Sequence, residues 1–182
     1  MKSAATVLVF TALLAGCAGG GKHPDRINGA PPAFSATTQL LGGSGELRGT
    51  AALTVVDGGT RVVVHVDGLA PGTYAIHLHA VGKCEAPDFK TAGPHFNPTA
   101  HQHGSLNPAG PHLGDLPNIV VGTGGTGSID ATVAGLGLVS GSMPLLDADG
   151  AAVVLHAGAD DYKTDPSGNS GNRIACGTLN HP

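Results

Sequence analysis

The chain has 182 residues, which leaves room for one domain of ordinary size but not comfortably for two. Its 30 glycines, 13 prolines and low aromatic content of 3% favour short strands joined by long turns. The formal net charge is −4, so the chain lacks the basic surface that nucleic-acid binding requires, and no nucleic acid is expected among its partners.

The N-terminal segment has the composition of an export signal. Lys2 is followed by an apolar run at positions 4–14 that is too short to span a bilayer. The run leads into Leu14-Ala15-Gly16-Cys17, which resembles the lipobox of bacterial lipoproteins, whose cysteine is lipidated and becomes the first residue of the mature chain. The alternative is an ordinary cleaved signal peptide with an unmodified cysteine. We expect residues 1–16 to be a lipoprotein signal peptide, and its removal with Lys2 changes the formal charge from −4 to −5.

Residues 17–35 are predicted to form a flexible tether from the lipidated Cys17. From residue 20 to about residue 35 the sequence contains glycine, proline and small polar residues without periodicity. The expected location is the bacterial cell envelope, where the lipid anchors the chain to a membrane and the domain faces the periplasm. Ala18, directly after the cysteine, favours sorting to the outer membrane.

The cysteine count is compatible with one disulfide. Export implies an oxidising compartment, where thiols pair and persist. With a lipid on Cys17, the two remaining cysteines, Cys84 and Cys176, can bond to each other with none left over. In the chain-entropy model, closing a loop of roughly ninety residues raises the free energy of the unfolded chain by about 4 to 5 kcal/mol, because it lowers that chain's entropy.

Alternation of apolar and polar residues predicts an all-β domain over residues 36–182. Residues 47–56 and 60–66 flank Asp57-Gly58-Gly59, a hairpin signature, and residues 73–79 follow the turn Ala70-Pro71-Gly72. These segments predict three consecutive antiparallel strands. Further strands are predicted at residues 118–121, 127–134, 151–156 and 174–179, and no segment has a convincing helical period. Residues 82–117 and 157–173 lack periodicity, so the prediction is a β-sandwich or barrel with two long functional loops.

Six of the ten histidines follow a pattern that ordinary packing does not explain. His77 and His79 alternate with apolar residues on a predicted strand, so both side chains leave the same face, roughly 7 Å apart at Cα. Two polar residues on an exposed face would give the same pattern. His156 ends an apolar strand and can complete a copper set with this pair and His95, since imidazole suits copper and only copper brings redox chemistry.

The first long loop carries the residue types of a zinc site. Three imidazoles and one carboxylate suit a closed, tetrahedral zinc ion, and the loop supplies His95, His103, His112 and Asp115. The alternative is a solvated, histidine-rich loop. His95 is then common to both metals, and an imidazole between two dications can lose both ring protons and store a proton when copper changes oxidation state.

Four segments together resemble the copper/zinc superoxide dismutase family, in its exported bacterial branch. They are His77-Leu78-His79, Ala92-Gly93-Pro94-His95-Phe96-Asn97-Pro98, His112-Leu113-Gly114-Asp115 and Gly171-Asn172-Arg173-Ile174-Ala175-Cys176-Gly177, and the resemblance extends from about residue 36 to the C-terminus. It implies an Ig-like Greek-key sandwich or barrel. It also implies one copper and one zinc per subunit, in a monomer or a homodimer.

The resemblance implies a role for each site residue. Copper is held by His77, His79, His95 and His156, and zinc by His95, His103, His112 and Asp115. Cys84 is paired with Cys176, and Asp160 links a copper histidine to a zinc histidine. The catalytic residues are Arg173, which guides and anchors the superoxide anion, and His95, which carries a proton. Ala80 departs from the pattern, because many members have an acidic residue there.

The expected function is conversion of superoxide to dioxygen and hydrogen peroxide by alternation of Cu(II) and Cu(I), which protects the cell envelope from extracytoplasmic superoxide. A lipid-anchored copper-binding or copper-buffering protein without turnover is the alternative, although storage needs no anion guide such as Arg173. A zinc hydrolase is a third hypothesis. It leaves the six histidines unexplained and lacks an obvious general base.

Overall fold

The computed structural model describes residues 34–180, and these residues form β-strands and loops without an α-helix. A single 3₁₀ turn, Lys90–Ala92, lies in the first long loop. The proposed leader and nearly all of the tether, including Cys17, lie outside the described residues. The strands are β1 (Ser35–Gly42), β2 (Leu47–Val56), β3 (Gly59–Val66), β4 (Gly72–Tyr74), β5 (Ile76–His79), β6 (Ile119–Val121), β7 (Gly127–Ala134), β8 (Ala151–His156) and β9 (Arg173–Leu179).

Seven strands form one sheet in the order β5-β8-β9-β1-β2-β3-β7, and β4 pairs with β6 in a small second sheet. All neighbouring strands are antiparallel. The order departs from the chain order, since β8 and β9 lie between β5 and β1, as Greek-key connections require. The predicted all-β Greek-key fold with two long loops is confirmed.

The hairpin predicted at Asp57 is confirmed, and the third predicted strand is wrong in part. Val56 faces Gly59 across the β2–β3 turn, where Gly58 has a positive φ of 79° that an L-residue adopts at a cost. The segment predicted as one strand at 73–79 is two strands, β4 and β5, which belong to different sheets. The break is at Ala75, whose backbone N–H donates to Gly158 O at 2.8 Å and whose carbonyl accepts from His156 N at 2.9 Å.

The strands enclose one apolar core. Alternate residues of each strand point inward, and the fully buried side chains include Leu40, Leu53, Val62, Val64, Ile76, Leu78, Val153 and Leu155. All six residues of β8 are buried, because its outer face is covered as well. There Ala152 and Val154 pack against Phe89 and Ala92 of the first long loop. This loop is therefore held against the sheet by an apolar cluster of its own.

None of the helical segments in residues 34–180 is long and apolar enough to cross a bilayer.

Candidate metal centre

The first long loop reaches the site by bonding to the edge strand β5. An edge strand has unpaired backbone groups on one side, and here the loop uses them. Phe96 N donates to Leu78 O at 2.8 Å, and Leu78 N donates to Gly114 O at 2.9 Å. These bonds place His95 opposite His79 and Asp115 opposite His77. Residues far apart in sequence therefore meet at one edge of the sheet.

Four buried histidines form the first group: His77, His79, His95 and His156. Each offers a ring nitrogen, and the four atoms lie within 4.8 Å of one another. The Nδ1 atom of His77 and the Nε2 atoms of the other three are buried without a hydrogen-bond partner. Unpartnered buried polar atoms are costly in a protein interior. Four of them pointing at one place fit a bound metal ion, and imidazole is a copper ligand.

The second group surrounds the carboxylate of Asp115. Its Oδ1 atom lies 2.9 Å from His95 Nδ1, 3.0 Å from His103 Nδ1 and 3.2 Å from His112 Nδ1. The Nδ1 atoms of His112 and His95 are 3.4 Å apart. Ligands on a tetrahedral zinc ion, at about 2.0 to 2.1 Å from the metal, are about 3.3 Å apart. These four separations, 2.9 to 3.4 Å, are close to that spacing, so this group fits zinc.

By the spacing of ligand atoms, His77 takes the place of His112 in the second group. His77, His95, His103 and Asp115 offer ligand atoms that all lie within 4.8 Å of one another. His77 Nε2, however, is engaged with Asp160 Oδ2 at 2.9 Å, and its Nδ1 is one of the four unpartnered atoms of the first group. The Nδ1 atom of His112 lies at the Asp115 carboxylate. The geometry therefore favours His112 in the second group.

Asp160 connects the two groups. Its side chain is completely buried, and its two oxygens lie 2.9 Å from His77 Nε2 and 2.9 Å from His103 Nε2. A carboxylate that accepts an N–H from each ring fixes the tautomer of both, so that the opposite nitrogen of each ring is free to bind a metal. One buried side chain thus orients a ring in each group.

Burial keeps the first group neutral. Burial lowers the pKa of His95 to about 4, although Asp115 opposes the shift, and it lowers the pKa of His156 to about 3. Burial also places the pKa of His79 well below its usual value. Neutral rings have a free lone pair, so these nitrogens are ready to bind metal at neutral pH.

The pKa values of His103 and Asp115 shift in the directions expected of an ion pair. Burial disfavours the charged ring, but the nearby carboxylates of Asp115 and Asp160 prevail and raise the pKa of His103 to about 9. Burial opposes ionisation of Asp115, but its contacts with the rings of His103 and His95 outweigh it and hold the pKa of Asp115 well below its usual range. In the metal-free protein a proton on His103 thus occupies the place of the positive ion.

Arg173 lies at the mouth of the first group. It is the first residue of β9 and faces His156 of β8 across the ladder. Its guanidinium donates to Phe89 O and to Gly93 O, both at 2.7 Å, and the Gly93 carbonyl also lies 2.9 Å from His79 Nδ1. Arg173, His95 and His156 line an open cleft of about 700 Å³. A small anion entering this cleft meets a fixed positive charge beside the buried nitrogens.

The disulfide cysteines and the four histidines outside the two groups lie as follows. Cys84 and Cys176 are bonded, as predicted. His65 is exposed on β3, and His101 lies 3.0 Å from Pro111 O through its Nδ1. His23 and His181 lie outside the described residues. The sequence analysis did not predict that the Gly93 carbonyl contacts both His79 and Arg173, because every residue type has a backbone carbonyl.

The chain matches one protein-family model, described as copper/zinc superoxide dismutase (SODC), over residues 47–179. It is 41% identical over 148 residues to superoxide dismutase (Cu-Zn) 2 of Aquifex aeolicus, covering 80% of this chain and 86% of that protein. The match to the family model includes every residue of the two groups, together with Asp160 and Arg173.

Solved structures with a similar fold include two bacterial proteins. A SOD-like protein from Bacillus subtilis is 40% identical with a TM-score of 0.75, covering 79% of this chain and 97% of that one. The Cu/Zn superoxide dismutase from Brucella abortus is 27% identical with a TM-score of 0.64, covering 80% of this chain and 99% of that one.

Proposed function

The chain belongs to the copper/zinc superoxide dismutase family and has that family's activity, and from this premise we propose which of its residues perform the reaction and where in the cell it acts. Superoxide is the substrate, and copper and zinc are the cofactors. We assign copper to the first group and zinc to the second, with His95 shared between them. The observation that carries this assignment is the set of four buried, unpartnered ring nitrogens in the first group.

His95 is proposed to move a proton at its Nε2 atom. When bound, copper supplies one-electron oxidation and reduction, and zinc supplies a fixed positive charge. One superoxide is oxidised to dioxygen, and a second is reduced and takes two protons to form hydrogen peroxide. His95 Nε2 belongs to the first group and its ring lines the cleft, so it can deliver one of these protons, and solvent supplies the other. The Nδ1 atom stays beside Asp115 and keeps the ring in position.

Arg173 is proposed to bind and orient the anion. Its guanidinium is held by two loop carbonyls, which satisfy part of its donor set and neutralise none of its charge. Burial lowers the pKa of Arg173, and the negative charge of Asp88 in the same loop opposes this shift. The charge can therefore attract superoxide to the cleft even though the formal charge of the whole chain is −4.

The site of action is proposed to be the bacterial cell envelope. Lys2, the apolar run and the lipobox-like tetrapeptide ending in Cys17 support a lipid anchor, and the Cys84–Cys176 bond supports an oxidising compartment such as the periplasm. In this arrangement the enzyme removes superoxide outside the cytoplasm. Replacing Cys17 by serine should release the protein from the membrane fraction of cells that express the full chain, whereas membrane retention of this variant would reject the anchor.

The experiment that tests the site is inhibition of superoxide-dependent cytochrome c reduction by purified, fully metallated protein. We expect inhibition by the wild type, and a loss of kcat/KM on the order of 10-fold or more in Arg173→Ala with copper and zinc contents unchanged. Arg61→Ala is the matched control, because Arg61 is an exposed arginine paired with Asp130 on the sheet. Metallated wild type that fails to inhibit would instead favour a copper-buffering protein. Equal rates for Arg173→Ala and Arg61→Ala would reject the role of Arg173.

A further inference from the structure

Gly168 of the second long loop lies against the carboxylate that joins the two groups. Its φ of +66° is in the left-handed region. A Cβ atom built at this position would overlap Oδ1 of Asp160, and it would lie 2.6 Å from the carboxylate carbon and 2.7 Å from Nε2 of His103. The Asp160 carboxylate and His103 Nε2 are the two groups that a hydrogen bond joins. The space beside this bond is therefore too small for any side chain.

Asp160 cannot easily move aside to make room. Its backbone N–H donates to Asn118 Oδ1 at 2.9 Å, and its carbonyl accepts from Asn118 Nδ2 at 2.9 Å. Its Oδ1 atom also accepts from Tyr162 N at 2.6 Å. Both backbone groups are thus tied to the residue that precedes β6, and the side chain is fully buried. A group at position 168 would have to displace the carboxylate from His103, because the backbone of Asp160 is fixed.

We propose that Gly168 is a positioning residue for the metal centre: the absence of a side chain there permits the Asp160 carboxylate to hold His103 and, through its second oxygen, His77. This inference rests on the proposed function, since it requires the second group to bind zinc. Groups that hydrogen-bond to the nitrogen of a histidine that does not bind the metal contribute about 10- to 100-fold in metal affinity. Gly168 contributes by leaving the carboxylate in place, without contacting the metal.

The test is the zinc affinity of Gly168→Ala, measured on purified metal-free protein by competition with a chromophoric chelator. We expect zinc binding weaker by about 10- to 100-fold. The cobalt-substituted protein should also have an altered visible spectrum, because His103 is no longer oriented. Gly135→Ala is the matched control: Gly135 has a similar φ of +75°, and a Cβ there meets no atom within 4 Å. It should lose stability from backbone strain but keep the wild-type zinc affinity and cobalt spectrum.

A second comparison removes the closest part of the clash. In Asp160→Ala the two atoms closest to the new Cβ are gone and His103 Nε2, at 2.7 Å, remains, so adding Gly168→Ala should cost less zinc affinity than it costs in the wild type. This comparison decides the question even where Gly168→Ala alone does not fold. Wild-type affinity in Gly168→Ala, or an equal further loss in the Asp160→Ala background, would overturn the inference while leaving the proposed function intact. A wild type that binds no zinc would reject both.

Discussion

Each histidine of the first group has one nitrogen that is held and one that is free. A backbone carbonyl only accepts, so the contact with Gly93 O requires His79 to carry its proton on Nδ1, which leaves the Nε2 lone pair bare. For His156, the Nδ1 atom lies 3.1 Å from Ser170 Oγ and 3.3 Å from Gly171 O. In His77 the arrangement is reversed, because Asp160 holds Nε2. The direction of each free lone pair is therefore set before any metal binds.

Replacing one ligand of each group should separate their roles. We expect His156→Ala to lose copper and to lower activity by at least ~100-fold, because only three of the four nitrogens remain. Asp115→Ala should chiefly release zinc and lower stability, since Asp115 gathers the three Nδ1 atoms of the second group. Copper and zinc per chain, measured beside activity, check both outcomes. His65→Ala, at an exposed position, is the control, and full activity of His156→Ala without copper would contradict the assignment.

At the scale of elements, most strands could be predicted from sequence, whereas of their pairings only the β2–β3 hairpin was predicted. Strand β1 was not predicted, because the polar residues Thr37, Thr38 and Gln39 interrupt its apolar alternation. Alternation is a local signal, so β2, β3, β7 and β8 were predicted within one residue. It carries no information on which sheet a strand joins, and the break at Ala75 depends on bonds to residues more than 80 positions away.

The residues of the candidate site could be predicted from their types, for a different reason. Histidines and one carboxylate in a loop without other order indicate metal binding, whatever the pairing of the strands. The pattern could not predict that His95 and Asp115 lie together at the edge of β5. Their position depends on backbone hydrogen bonds such as Phe96 N to Leu78 O. Gly168 could not be distinguished from the other glycines for the same reason, since its role depends on Asp160.

The disulfide ties the first long loop to β9 and so acts on Arg173. Cys84 belongs to the loop and Cys176 to β9, with the two Cα atoms 5.6 Å apart. The same loop supplies the Phe89 and Gly93 carbonyls that hold the guanidinium. Loosening of the loop should therefore disturb the proposed anion site as well as the fold.

We expect Cys84→Ser/Cys176→Ser to lower the free energy of unfolding by about 2 to 5 kcal/mol, because a long closed loop is opened in the unfolded chain. Activity per bound copper should fall as well, because Arg173 loses its fixed acceptors. Urea unfolding and the cytochrome c assay measure the two effects. Reduced wild-type protein is the control and should match the variant. A variant as stable and as active as the oxidised wild type would contradict this role.

For the whole molecule, the buried histidines make stability depend on pH in two opposite directions. An unfolded histidine titrates near pH 6.5. Burial lowers the pKa of His95 to about 4 and that of His156 to about 3, so from about pH 6.5 to 4 the unfolded chain binds protons that the native chain does not. Stability is then lost as the pH falls. The pKa of His103 is raised to about 9, so its contribution is complete below pH 6.5 and is lost as the pH rises through 9.

The metal-free domain should therefore be most stable near pH 6.5 and lose stability on both sides. For His95 alone the loss towards pH 4 is on the order of 3 kcal/mol, because a tenfold change in proton affinity between the folded and unfolded chain corresponds to about 1.4 kcal/mol. Urea unfolding of chelator-treated protein between pH 4.5 and 9.5 measures the profile. His103→Gln should flatten the alkaline side, because it removes the ring whose pKa is raised. A profile that rises steadily towards acid pH would mean that these rings are not buried as neutral bases in the folded protein.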